Sequence, residues 1–212
     1  MKNLIIVGAG NAARVVLQLA KDMNREKLRW NIKGFIADSG LDIKKLTNGD
    51  FDIIGTIEDW HPSDQEVFTC AIAEPKGREA VVMKLKARGA EFVNLIHPTA
   101  QISDYCEIGE GVIISPFTYV QANAKLGNFV YLMSGVAHDV KVQDYTTICG
   151  RCCITGNVQI GRRVFIASSA TIIPEIKVGD DAFVCAGSVV NRDVIGGTKV
   201  FGNPARVISK PK

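Results

Sequence analysis

Residues 148–172 read ICGRCCITGNVQIGRRVFIASSATI, and their spacing decides the fold. An isoleucine stands at Ile148, Ile154, Ile160, Ile166 and Ile172, one position in every six. That period suits neither an amphipathic helix nor an alternating strand. It is the repeat of a parallel β-helix, whose short strands turn corners while successive coils stack. Working outward, the pattern runs forward through Val178, Val184 and Val190, and back through Val142 and Val136. Before Val136 it holds with a shifted phase, at Leu132, Leu126, Val120, Ile114, Ile108 and Ile102. The shift falls between Leu132 and Val136, where four residues replace six. Three hexapeptides close one triangular coil, so the run predicts roughly five coils of a left-handed parallel β-helix. Gly109, Gly127, Gly161 and Gly179 each follow an aliphatic residue. They are expected to relieve corners that need positive φ. The pattern is expected to end after Val190, with Gly196 to Arg206 as a turn-rich cap.

Ahead of the repeats lies a different kind of sequence. Leu4–Val7 predicts an apolar strand, followed by Gly8-Ala9-Gly10-Asn11-Ala12-Ala13 and a helix with Val15, Val16, Leu19, Ala20 and Met23 on one face. Strand, glycine loop and helix open a nucleotide-binding βαβ unit, and Gly8-x-Gly10-x-x-Ala13 fits its fingerprint. The glycines let backbone approach a phosphate, and the helix start offers N–H groups and a positive dipole. A tight turn with no ligand would produce the same residues. Further strands are expected at Ile32–Ala37, around Ile53–Thr56, at Val67–Ala73 and at Phe92–Ile96. The segment Ile57–Trp60 should turn into a helix, and a further helix should start at Pro75 and end at Gly89. Asp38 lies further from the glycines than the ribose-binding acid of a dinucleotide fold. The expected organisation is a small Rossmann-like α/β domain over residues 1–97 and a β-helix over 98–212. Half a dinucleotide fold favours a mononucleotide or nucleotide sugar over NAD.

Composition excludes several classes. The 212 residues carry a net charge of +3 with no concentrated basic run, so a nucleic-acid partner is not indicated. No apolar run reaches the ~18 residues of a membrane span. The start turns glycine-rich too soon for a signal peptide. A cytoplasmic protein is expected. Six cysteines, Cys70, Cys106, Cys149, Cys152, Cys153 and Cys185, should then be reduced. Cys149-x-x-Cys152 has no second pair and no nearby histidine, so no metal site is expected.

Three histidines are present, His61, His97 and His138. His61 and His97 each precede a proline in a connection and read as turn residues. His138 lies within the repeats, close to the break of phase, with Asp139 beside it. Imidazole titrates near neutrality and suits a general base. A solvated corner histidine is the alternative. Adjacent residues on a regular strand point to opposite faces, so Asp139 can reach the imidazole only if the backbone turns there.

The α/β start, the hexapeptide prism, His138-Asp139 and the ending Gly202-Asn203-Pro204-Ala205 together resemble the bacterial sugar O-/N-acyltransferases. That family includes sialic acid O-acetyltransferases and N-acetyltransferases of nucleotide-linked 4-amino sugars. The resemblance implies a homotrimer that binds acetyl-CoA between neighbouring prisms, a nucleotide-linked sugar on the N-terminal domain, and a place in cell-surface glycan precursor synthesis. Carried over by position, His138 is the base and Asp139 its acidic neighbour. Gly156 offers its N–H to the thioester carbonyl, and Ser168 and Ala186 line the CoA channel. Gly8, Gly10, Asn11 and Ala12 form the phosphate-side loop, and Asp38 is an acid near the nucleoside. Three positions depart from the pattern. Ala37 replaces the first acid of a pair, Thr147 replaces a second histidine, and Met133-Ser134-Gly135 lacks an asparagine found in some members. The implied reaction is direct N-acetylation without an acyl-enzyme. O-acetylation of a sialic acid or serine, and a non-catalytic nucleotide-sugar-binding trimer, remain alternatives.

Overall fold

The apolar strand at the N-terminus, β1 (Asn3–Ala9), is buried from Leu4 to Ala9 on both of its faces, as a central strand of a parallel sheet must be. Beside it lie β2 (Asn31–Gly40) and β4 (Glu66–Cys70), with β3 (Ile53–Gly55) outermost. All pairings are parallel, in the order β3-β2-β1-β4. Helix α1 (Ala13–Glu26) packs on β1 through Ala13, Val16, Leu17, Leu19, Ala20 and Met23. A one-turn helix, α2 (Ile43–Leu46), is capped by Asp42. Helix α3 (Pro75–Ala87) starts with proline in its first turn, where a missing N–H costs nothing. Buried Arg78 donates from Nη1 to the carbonyls of Ile72 and Ala73, which fixes the turn from β4 into α3.

Two local expectations need correction. Residues 57–59 form a turn that does not continue as helix. Thr56 Oγ1 donates to the Asp59 carboxylate, and Pro62 follows two residues after Trp60. The final strand is shorter than Phe92–Ile96. Phe92 makes a single bridge to Phe68, and only Leu95–Ile96 is a strand.

The structure, a computed structural model, describes residues 1–209 and divides into two units after Pro98. The last three residues of the expected 98–212 segment lie outside the described residues.

The second unit is a parallel β-helix with three faces. One face stacks strands 107–108, 125–126, 141–142, 159–160 and 177–178, and the next stacks 113–114, 131–132, 147–148, 165–166 and 183–184. The third runs through 101–102 and 119–120, then single bridges at Val136, then 153–154, 171–172 and 189–190. The hexapeptide aliphatics point inward, with Ile114, Val120, Val136, Ile148, Ile166, Ile172 and Val184 fully buried. The residue two positions earlier is inward as well. Val112, Ala124, Val130, Val140, Val158, Val164 and Ala170 are all fully buried. Each hexapeptide therefore supplies a pair of core side chains, a short strand alternation inside the longer period.

The repeat does not end at Val190. Val194 bridges to Val178, and strand 199–202 pairs with Phe183–Val184, so Val190, Val194 and Val200 form a sixth coil. Four residues rather than six separate Val190 from Val194, and this second shortened corner hides the coil from a strict count of six. The break at Leu132–Val136 is thus not unique. Strand 199–202 then turns back antiparallel onto 205–209.

The role given to the repeat glycines also changes. Positive φ at the prism corners is carried mainly by other residues, among them Asn123, Phe129, Asp139, Tyr145, Asn157 and Asp181. Gly109, Gly127, Gly161 and Gly179 do not have it. They are needed because the neighbouring coil comes too close for a side chain. A β-carbon on Gly109 would lie 2.6 Å from Asn128 Oδ1, and one on Gly127 would lie 2.5 Å from Asp144 Oδ1. Those oxygens accept the backbone N–H of Glu110 and Asn128. Asp180 caps the Arg162 N–H in the same way.

Candidate active site

His138 sits at the corner between the third and first faces, and its geometry follows from that corner. Ala137 N–H donates to Ile154 O and Asp139 N–H to Ala122 O, which locks the turn between two coils. Asp139 takes the left-handed conformation, φ 59°, which an aspartate tolerates better than most residues. The turn brings the two neighbouring side chains together. His138 Nδ1 lies 2.8 Å from Asp139 Oδ2, and both side chains are about half exposed, 57% and 43%. The other oxygen, Oδ1, accepts from Asn123 Nδ2 at 3.2 Å. The bond to His138, then the bond to Asn123, hold the Asp139 carboxyl below the usual carboxylate range. An ionised carboxylate only accepts, so the neutral imidazole carries its proton on Nδ1 and its lone pair on Nε2.

Gly156 occupies the same corner one coil further on. A β-carbon there would lie 2.6 Å from His138 Nε2 and 2.5 Å from Cε1, so the imidazole edge rests against the glycine. Asn157 N–H donates to His138 O, and Gly156 O accepts from Glu175. The Gly156 N–H has no protein acceptor among the described residues. One coil later the equivalent position is Pro174, which has no N–H to offer. The prism has no use for a donor at this corner. His138, Asp139 and Gly156 thus form one cluster: a lone pair on Nε2, an acid behind it and an unengaged N–H beside it.

Ser168 and Ala186 are elsewhere. They are exposed on the corner between the second and third faces, stacked through the Gly187 N–H to Ser168 O bond. Within one chain they do not meet His138.

The N-terminal residues fall in the β1–α1 connection. Gly8 has φ 96°, and a β-carbon on it would lie 2.8 Å from Ile72 Cγ1. Gly10 and Asn11 are exposed, and Ala12 precedes α1 with no side-chain cap on the helix start. A β-carbon on Gly10 would meet nothing within 4 Å, so the protein's own packing does not demand glycine there. Asp38 is exposed at the end of β2, where its Oδ1 accepts from the Glu58 N–H. That bond orders the 56–59 turn.

The remaining histidines and cysteines play other parts. His61 Nδ1 lies 2.8 Å from the Asp59 carbonyl, within a turn. His97 lies in the connection directly before the 98–99 turn. It is largely buried, with Nε2 3.6 Å from Asp22 Oδ2. All six cysteines are free. Burial pushes the Cys149 thiol up to about 11 and raises Cys152, which opposes a thiolate nucleophile at either. Among the described residues no cluster of histidine, cysteine and carboxylate could hold a metal ion, and no helix is long and apolar enough to cross a membrane.

Asn123 was not legible as a site residue. Its only signal is register: it stands 16 residues before Asp139, one shortened coil away. Asn123 and Asp139 also line a shallow groove on the first face with Lys125, Lys141, Asn157 and Gln159.

The α/β unit followed by a hexapeptide prism is the architecture of an acyltransferase class, and comparison with known proteins gives that class. Residues 3–85 match the PglD N-terminal domain family, and residues 157–192 match the bacterial transferase hexapeptide family of six repeats. The chain belongs to the bacterial sugar N-acyltransferases of the hexapeptide-repeat superfamily. It is 31% identical over 213 residues to GDP-perosamine N-acetyltransferase of Escherichia coli O157:H7, across 97% of this chain and 96% of that one. Among solved structures it is similar to the acetyltransferase domain of PglB from Neisseria gonorrhoeae FA1090, with a TM-score of 0.87 and 27% identity, covering 98% of this chain and 100% of that one. That domain has also been solved in complex with acetyl coenzyme A. WeeI from Acinetobacter baumannii AYE aligns with a TM-score of 0.86 and 29% identity, covering 98% and 100%.

Proposed function

We propose that the protein moves an acetyl group from acetyl-CoA to the amino group of a nucleotide-linked amino sugar, with His138 as general base. The observation that carries this reading is the corner itself: Nδ1 held 2.8 Å from Asp139, with Nε2 beside Gly156. The sugar amine attacks the thioester carbonyl carbon, and a C–N bond forms. His138 Nε2 takes the proton from that nitrogen, a contribution typically worth ~10²–10⁴-fold. The carbonyl oxygen becomes an oxyanion, for which the Gly156 N–H is the available donor, worth roughly 3 kcal/mol. The C–S bond then breaks, and the imidazolium returns its proton to the CoA thiolate. No acyl-enzyme is needed.

The N-terminal unit, read as a Rossmann-like nucleotide-binding domain, would hold the nucleotide phosphates at Gly8, Gly10, Asn11 and Ala12. The uncapped start of α1 and the open space at Gly10 support that reading. Asp38 would meet the nucleoside. Ser168 and Ala186 lie on a different prism corner from His138, so a CoA channel that uses both must form between copies. A left-handed prism in a homotrimer supplies such a groove and closes the assembly.

The test is a panel of GDP-, UDP- and dTDP-linked amino sugars offered with acetyl-CoA, following thiol release and mass of the product. Turnover with at least one, giving an N-acetylated sugar nucleotide, is expected. Acylation of free serine or of a sialic acid hydroxyl, with every amino-sugar nucleotide inert, would overturn the reading.

A further inference from the structure

We infer that Asn123 is a positioning residue, which holds Asp139 in the one orientation that keeps the Nε2 lone pair of His138 free. The inference rests on the acyl-transfer reading above. Asn123, Asp139 and Asn157 take the left-handed conformation at the same corner of three successive coils, with φ of 61°, 59° and 60°. Stacking therefore puts an amide, a carboxylate and an amide in one column. The Asp139 N–H to Ala122 O bond sets the spacing between the first two.

Asparagine is favoured at left-handed corners for backbone reasons alone. Asn157 fills that role, with no hydrogen bond from its side chain among the described residues. Asn123 does more, because its Nδ2 donates to Asp139 Oδ1 at 3.2 Å. A half-exposed carboxylate can rotate about its last torsion and swing toward solvent or Lys141, which also draws on its charge. Pinning Oδ1 stops that rotation and leaves Oδ2 on Nδ1. The imidazole then keeps its proton on Nδ1, and Nε2 is ready to accept one.

The experiment uses the whole protein labelled with 15N-histidine, whose three rings are assigned by substitution. Asn123→Gly removes the amide at a φ that glycine adopts without strain, so a folded protein is expected, with thermal unfolding shifted no more than by Asp139→Asn. Ring nitrogen shifts of the neutral imidazole should show a predominantly Nδ1-protonated tautomer in the wild type. In Asn123→Gly the ratio of tautomers should fall roughly threefold or more. With the acceptor found in the panel above, kcat should drop about fivefold to tenfold, and KM for acetyl-CoA should not move. In an Asp139→Asn background, Asn123→Gly should cost nothing further, because its effect runs through Asp139. An unchanged tautomer ratio, or an undiminished loss of kcat in the Asp139→Asn background, overturns the inference. If instead His138→Asn turns over at the wild-type rate, the catalytic reading fails, while the tautomer shift still decides what Asn123 does.

Discussion

His138 sits where a single bend of backbone lets two adjacent side chains meet. On a regular strand they would face opposite ways, and the sequence showed only that a turn was required. The left-handed φ of Asp139 supplies it. Gly156 gives the sharpest consequence. A methyl group there collides with the Nε2 edge of the imidazole, so Gly156→Ala should rotate or displace His138. A loss of kcat of about 10²-fold is expected, comparable to the lower end of general-base catalysis, with thermal stability nearly intact. Equal rates in the variant would mean that the ring does not work from this position. Asp139 offers a pH test whose sign is fixed. Its folded-state value is depressed, first by His138 and then by Asn123. Its contribution to stability is therefore present above the unfolded carboxylate value, about 3.9, and is lost as pH falls through the folded one. The melting temperatures of wild type and Asp139→Asn should differ at neutral pH and converge in acid. A gap independent of pH would show that the carboxylate charge contributes nothing at this corner.

At the scale of elements, most of the fold was legible because a prism repeats its physics. Every coil needs inward aliphatics at the same place, so the period of six survives in the letters. What the period could not carry is exception. The Val190–Val194 corner drops two residues, as Leu132–Val136 does, and a strict count loses the last coil there. The glycines were legible as a pattern but not as a cause, since positive φ and close approach both select glycine. The structure separates the two demands, and melting curves can check the separation. Gly161→Ala puts a β-carbon into the Asp180 side chain and its backbone N, which should cost about 1–3 kcal/mol as overpacking. Gly10 has open space and no positive φ, so Gly10→Val should leave the melting temperature alone. If the β1–α1 loop holds phosphate, that same variant should bind nucleotide sugar more weakly and acetyl-CoA as before. Unchanged sugar affinity would place the nucleotide elsewhere. The 57–59 turn does not run on into a helix for a local reason: Asp38 and Thr56 satisfy its backbone and side chains.

For the whole molecule, the proposed site draws on residues from separate corners of the prism. His138 with Gly156, and Ser168 with Ala186, occupy different corners of one prism, and periodicity cannot say which corners of which copies meet. A trimer with sites between subunits predicts complementation. His138→Asn mixed with Ser168→Trp and reassembled should recover about a quarter of the wild-type rate, since each intact site takes one corner from each parent. Mixtures no better than the separate variants would show that the Ser168 corner takes no part in a site shared between copies with His138. The most direct test is the rate of His138→Asn itself, measured with acetyl-CoA and the acceptor sugar nucleotide at saturation. Asparagine keeps polarity and much of the size of the side chain but cannot take the amine proton. The expected result is a kcat lower by ~10²-fold or more, with acetyl-CoA affinity retained and the dependence of rate on pH abolished. A variant that acetylates the amino sugar at the wild-type rate, with the wild-type pH profile, would contradict the role assigned to His138.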